Sequence, residues 1–319
     1  MEIISENDYL RRMNEEVTPY LQKYRRSGFF EDGTGNIYYE SYSGGDSRGA
    51  VVMVHGFSES AEKYVEMIYY FLRAGYQVYI LEVRGHGRSV RETEDLCMVH
   101  IGRYEQYLTD LSCFVEKIVK KENPGMPCCL YAHSMGGGIG AAFLEKNPDV
   151  FQKAVLSSPM IRPKTGQIPF GAAYAAAWMM VGLGKSRQYA PGQHAFRDDE
   201  TFEGSAAVSR ARYEYYHEKR SKEKLFQTSG ASCTWIREAA RMSVDILKKK
   251  NCRKIRARVL VFQSLQDDYV DLKAQEKFVR QTDSARLVPM AGTKHEIYMG
   301  TDEVLRAYVG QILEFLEQP

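Results

Sequence analysis

No stretch of this 319-residue chain stays apolar long enough to cross a bilayer. The longest such run, residues 171–184, spans fourteen positions, against the roughly 18–20 that a spanning helix needs. The start, MEIISENDYLRRMNEEV, carries acidic residues early and lacks an apolar segment, so it does not read as a secretory signal. An excess of one charge is missing too. The 43 Lys and Arg against 41 Asp and Glu leave +2, too little for a whole-chain field that would gather nucleic acid. Six cysteines occur, at 97, 113, 128, 129, 233 and 252, never in the C-x-x-C spacing of common zinc frames. Cys128 and Cys129 sit together in an apolar run, where thiols are expected to be inert core residues. The chain reads as cytosolic and reduced. There is no internal repeat and no low-complexity linker. With 44% hydrophobic and 26% charged residues, disorder, collagen and coiled coil are set aside as the main architecture.

What is present alternates. Residues 1–36 suggest a polar helix and then a turn at 32–35, followed by a strand at 37–42 and a turn at 44–47. Continuous apolar runs at 50–54, 77–83, 127–132, 153–157, 258–263 and 285–289 suit strands buried on both faces of a sheet. Helix-length stretches at 64–74, 104–121, 136–146, 272–281 and 303–317 separate most of them. Such alternation predicts an α/β fold, a mostly parallel sheet wrapped by helices. The pattern breaks between 159 and 250, where no convincing strand is found. That segment is expected to be a helical cap inserted into a core of residues 1–158 and 251–319.

Ser134 follows the run 127–132 and precedes a helix, in the sequence Ala132-His133-Ser134-Met135-Gly136. This is close to G-x-S-x-G in its required strand, sharp turn, helix setting. A serine on a strained elbow needs small residues two positions before and after it, and Ala132 is one methyl larger than the usual glycine. A serine that takes part in acyl transfer also needs backbone donors for the oxyanion. Met135 supplies one, and Phe57, after the strand-ending His55-Gly56, is expected to supply the other. In this setting the base follows the serine and the acid in chain order. Of seven histidines only His295 lies beyond the last expected strand. Asp267, Asp268 and Asp271 compete for the acid. Asp271 fits a helix N-cap, Asp267 leaves the strand first, and Asp268 is the alternative.

Taken together, His55-Gly56, the run Glu82-Val83-Arg84-Gly85-His86-Gly87-Arg88-Ser89, the Ser134 elbow, Asp267 and His295-Glu296 resemble the α/β-hydrolase fold, specifically its lysophospholipase and monoacylglycerol lipase group. The stretch 229–239, together with 12–17 and 28–30, is similar to the bacterial lysophospholipase L2 subgroup. Departures are Ala132 for Gly and Glu82 for Asp. The resemblance implies a Ser134, His295, Asp267 triad with no metal or organic cofactor, acting on lipid esters. The Arg-Gly-His-Gly-Arg-Ser run is expected to buttress the site without doing chemistry.

Substrate choice is expected to lie in the cap. Its sixteen basic and nine acidic residues leave +7 there and −5 on the rest. Tyr174, Trp178 and Met179 are expected to receive an acyl chain, and the basic face to touch anionic lipid at the inner membrane face. Two other readings use the same serine chemistry. One is a small-molecule carboxylesterase; the other is a serine aminopeptidase whose cap acids, Asp198-Asp199-Glu200, would hold a substrate ammonium.

Overall fold

The structure, a computed structural model, describes residues 1–44 and 47–318. Gly45 and Asp46, part of the turn expected at 44–47, lie outside the described residues. The main sheet has eight strands in the order β1-β2-β4-β3-β6-β7-β9-β10. These are β1 (Arg25–Glu31), β2 (Asn36–Tyr42), β3 (Ala50–Val54), β4 (Gln77–Leu81), β6 (Cys128–His133), β7 (Lys153–Ser157), β9 (Arg258–Ser264) and β10 (Ala285–Met290). From β4 to β10 the pairing is parallel, while β1 and β2 run antiparallel. β1 corrects the polar helix expected up to the turn at 32–35, since Arg25–Glu31 is strand. Only Phe30 of β1 is buried, so it carries little apolar signal, and its pairing with β2 holds it at the sheet edge.

Alternate residues of each central strand feed opposite cores. Val52, Val54, Leu130 and Leu156 join one cluster, and Val51, Met53, Tyr131 and Val155 join the other. That two-sided burial explains why these strands are continuous apolar runs. Cys128 and Cys129 are buried there, and burial pushes the Cys129 thiol up to about 11. The crossovers are helices, including α1 (Val65–Arg73), α2 (Glu105–Phe114), α3 (Ser134–Lys146) and α7 (Leu272–Gln281), and a further helix, α8 (Asp302–Glu317), follows β10.

Between β7 and β9 the chain leaves the sheet. It forms α4 (Phe170–Gly182), α5 (Arg210–Lys222) and α6 (Cys233–Ile246). One two-residue strand there, β8 (Gly230–Ala231), pairs with β5 (Met98–Val99) and fastens this segment to the core. No helix among the described residues is long and apolar enough to cross a membrane.

Arg212 of α5 is a second fastener. It is buried, with its guanidinium on Glu66 of α1 at 3.0 Å, Asp302 of α8 at 3.2 Å and the Ile4 carbonyl at 2.7 Å. One side chain thus ties the N-terminal segment, the cap and two core helices. Removing one partner of a buried pair leaves the other uncompensated, which costs about 3–5 kcal/mol. Arg212→Met is therefore expected to lose that much stability in denaturant unfolding; a loss under about 1 kcal/mol would contradict this role.

Candidate active site

Ser134, Asp267 and His295 come from three loops at the carboxyl ends of β6, β9 and β10. Ser134 Oγ donates to His295 Nε2 at 2.7 Å, and His295 Nδ1 donates to Asp267 Oδ2 at 2.6 Å. All three are buried. Asp267 Oδ1 accepts from the N–H groups of Tyr269 at 2.8 Å and Val270 at 3.1 Å. Burial alone would raise the Asp267 pKa. His295 and these two amides outweigh burial and hold it below the usual carboxylate value. Asp268 points away, with its side chain 96% exposed. Asp271 caps α7 by accepting from the N–H groups of Lys273 and Ala274.

The backbone of Ser134 is strained, with φ of +52°. Met160 N–H donates to the Ser134 carbonyl at 2.7 Å and helps fix the elbow. The extra methyl of Ala132 is tolerated because its neighbour across the turn is Gly140. A Cβ on Gly140 would stand 3.3 Å from the Ala132 methyl. Met135 lies in the first turn of α3, where N–H groups have no partner within the helix. Phe57 lies in the loop after β3, and its ring packs on Trp235 of α6 at 4.5 Å.

Ser134 and His295 open into a cavity of about 560 Å³ beneath the cap. Phe57, Met160, Trp235, Ile236, Val270 and Met299 give it an apolar wall. Tyr174, Trp178 and Met179 are not in its lining, which corrects the expected acyl site. α4 packs on α6 and buries only Ala177, leaving Trp178 50% and Met179 61% exposed. His194 and His217, both within the segment 159–250, line the cavity as well.

Residues 45–302 match the Hydrolase_4 family, described as serine aminopeptidase, S33. The chain belongs to this family. Over 275 residues it is 26% identical to lysophospholipase L2 of Escherichia coli strain K12, covering 84% of this chain and 80% of the other. A 136-residue stretch is 37% identical to monoacylglycerol lipase of Mycolicibacterium smegmatis, covering 41% and 44%. A soluble variant of monoglyceride lipase from Saccharomyces cerevisiae superposes with a TM-score of 0.72 at 18% identity, covering 92% and 95%. A thermostable carboxyl esterase from Bacillus coagulans gives 0.75 at 18% identity, covering 92% and 98%. The shared architecture is the α/β-hydrolase fold.

Sequence reasoning missed one group of residues in this S33-family chain. Glu59 is buried behind the loop that carries Phe57. Its Oε2 accepts from Gly56 N–H and from Tyr64 OH, both at 2.6 Å. Its Oε1 accepts from Tyr298 OH at 2.7 Å. Lys63 bridges Glu59 at 3.3 Å and Glu296 at 2.5 Å, and Glu296 adjoins His295 in the chain. One carboxylate thereby joins the loop after β3 to the loop of His295. Its i, i+4 spacing to Lys63 was the available signal. The Arg84-to-Ser89 run sits nearby as a brace. Arg84 pairs with Asp110 at 2.8 Å, and Arg88 pairs with Glu82 at 2.7 Å. His86 packs edge-on to His55 and Phe57.

Burial raises the Glu59 carboxyl, but the charge of Lys63 and the hydrogen bonds of the two phenols outweigh it and hold it well below the usual range. A depressed folded pKa adds stability above the unfolded value, which drains away as pH falls toward the folded one. Glu59→Gln is expected to cost about 2–4 kcal/mol near pH 7, with the gap narrowing below about pH 4. Thermal melts of both proteins across pH 3–8 check this; a gap that does not change with pH would contradict it.

Proposed function

We propose that the chain hydrolyses carboxylic esters of single-chain lipids, lysophospholipids or monoacylglycerols, through an acyl-enzyme on Ser134. One observation carries this reading: the Ser134–His295–Asp267 hydrogen-bond chain opens directly into a partly apolar cavity. Ser134 Oγ attacks the acyl carbonyl while its proton passes to His295 Nε2. Asp267 holds the Nδ1–H tautomer and offsets the imidazolium charge that forms. The N–H groups of Phe57 and Met135 receive the oxyanion. His295 returns the proton to the departing glycerol oxygen. It then takes one from the water that attacks the ester of Ser134, and gives it to Ser134 Oγ as the acyl–oxygen bond breaks and the fatty acid leaves. The names of the lysophospholipase and monoacylglycerol lipase relatives support the substrate class.

The test is a hydrolysis panel on purified protein: lysophospholipids, monoacylglycerols, short nitrophenyl esters and an aminoacyl amide. Exclusive turnover of the amide would favour the aminopeptidase reading, which Glu200 in the cavity lining supports. Ser134→Ala is expected to lose about 10⁶-fold in turnover and to lose labelling by a fluorophosphonate. Asp267→Asn is expected to lose on the order of 10⁴-fold, through the wrong His295 tautomer. Asp268→Asn is expected to stay near wild type. A reversal of the two aspartate phenotypes would place the acid at 268.

We further propose peripheral contact with anionic membranes through α4. Trp178, Met179, Leu183 and Ile168 stand 50%, 61%, 66% and 58% exposed on or beside this helix. The guanidinium groups of Arg162 and Arg237 lie over Phe170 and Trp178 at 4.9 and 5.0 Å. Burying each large side chain in a membrane interface contributes about 1.5–3 kcal/mol. Trp178→Ser with Leu183→Ser is expected to weaken cosedimentation with anionic vesicles by at least about tenfold. Replacing Lys248, Lys249 and Lys250 with Gln is expected to reduce only its salt sensitivity. Equal pelleting of wild type and the Trp178/Leu183 variant would exclude α4 as the contact.

A further inference from the structure

One face of α5 gives the cavity a wall unlike the apolar one. Tyr213, Tyr216, His217 and Arg220 recur at i, i+3, i+4 and i+7, and all four line the cavity. An acyl chain gains little from such a wall, whereas a polar head group gains several donors. Tyr216 is buried, and its ring lies 5.0 Å from Lys63 Nζ. Ser60 Oγ acts on this phenol, yet neither hydroxyl completes a hydrogen bond of normal geometry among the described residues. Arg220 Nε is likewise buried without a partner among them. Its other nitrogens hold the Thr228 carbonyl at 3.1 Å and Glu200 at a loose 3.4 Å.

The charge pattern narrows the ligand. The lining carries Lys63, Lys164 and Arg220 against Glu59, Glu200 and Glu296, so its formal charge is zero. Glu59, Lys63 and Glu296 satisfy one another, and Lys164 donates to the Asp267 carbonyl. That leaves Arg220 and Glu200 as the pair free to exchange partners.

We infer that the Tyr216–Arg220 face of α5, with Glu200, is a head-group subsite for a zwitterionic phosphodiester of the phosphoethanolamine type. The inference rests on the ester-hydrolase reading above. Arg220 Nε and Tyr216 OH donate to the phosphate oxygens, where a planar guanidinium fits best. Glu200 releases Arg220 and takes the ammonium. Both ions keep a partner throughout, so no charge is left buried and uncompensated. A bare glycerol head leaves the Arg220–Glu200 pair as it was and adds no charged contact. A phosphomonoester also draws Arg220 away but brings no ammonium, so Glu200 is left beside a like charge without a cation. No bond is made or broken at this subsite.

The experiment uses lysophosphatidylethanolamine, lysophosphatidic acid and monoacylglycerol of one acyl chain, each as a monomeric solution, with wild type, Tyr216→Phe, Arg220→Gln and Glu200→Gln. The wild type is expected to prefer the zwitterion. Tyr216→Phe, which keeps the ring over Lys63, and Arg220→Gln are each expected to lower the ratio of kcat/KM for lysophosphatidylethanolamine over monoacylglycerol about tenfold, through KM. Glu200→Gln is expected to erase the preference over lysophosphatidic acid. Ratios within twofold of wild type in all three variants would overturn the subsite and leave the esterase reading standing. Calorimetric binding of lysophosphatidylethanolamine to Ser134→Ala gives a readout that needs no hydrolysis. Affinity about tenfold weaker on adding Arg220→Gln supports the subsite even if the panel finds no ester turnover, and unchanged affinity overturns it.

Discussion

A methyl group at position 136 would lie 2.2 Å from the carbonyl oxygen of Val54 and 2.5 Å from that of His55. Nothing but hydrogen fits there, so α3 rests directly on the end of β3. The same contact brings Ser134 beside the loop of Gly56 and Phe57, which begins where β3 stops. Gly137 and Gly138 extend the close approach, against Pro159 and the Met160 carbonyl. The helix can sit so near only if its first residue turns sharply, and Ser134 does so at φ +52°. Strain of this kind, of order 1–3 kcal/mol, persists where packing overdetermines it. The position of the serine oxygen is therefore a consequence of backbone contact between a helix and a strand, not of the serine itself.

The groups that align around that oxygen are mostly charged or imidazole, and they are buried. Isolated, they would be expensive to bury. Here each leans on another across a different loop. Asp267 is satisfied by His295 and two amides, and Glu59 by an amide, two phenols and Lys63. His133, between Glu59 and His295, is pushed down to about 3 by burial and so remains neutral. A neutral His133 puts no cation beside the His295 ring, 4.9 Å away. The network makes the loops after β3 and β10 one unit, which matters because they carry different parts of the site.

That Ser134, Asp267 and His295 meet was legible because each follows an expected strand within a few residues, and chain order pointed to the histidine. Helix capping set Asp271 aside, and the structure agrees in placing it on α7. β1 was not legible, since an edge strand held by backbone pairing shows no alternation with only Phe30 buried. Tyr174, Trp178 and Met179 misled for a different reason. An apolar helix is expected to bury its large side chains, but α4 packs through its small residues and turns the large ones outward. Glu59 and the α5 stripe were readable only as helical spacings. Spacing does not say which face meets a cavity until the rest of the chain is in place.

The cap's charge shows the same gap between composition and space. Its nominal +7 suggests a strong field, yet its cations are largely spent on neighbours. Arg212 meets Glu66 and Asp302, Lys219 meets Glu62, Arg237 and Arg241 share Glu238, and Lys248 meets Asp245. Several of those acids belong to the core. Part of the core's −5 is thus the counter-charge of the cap, and the two segments attract across their junction. Ion pairs at short range lose most of their field within a Debye length, about 8 Å at physiological salt. A membrane would therefore sense little of the paired charge, and the exposed apolar side of α4 would dominate its contact with the chain.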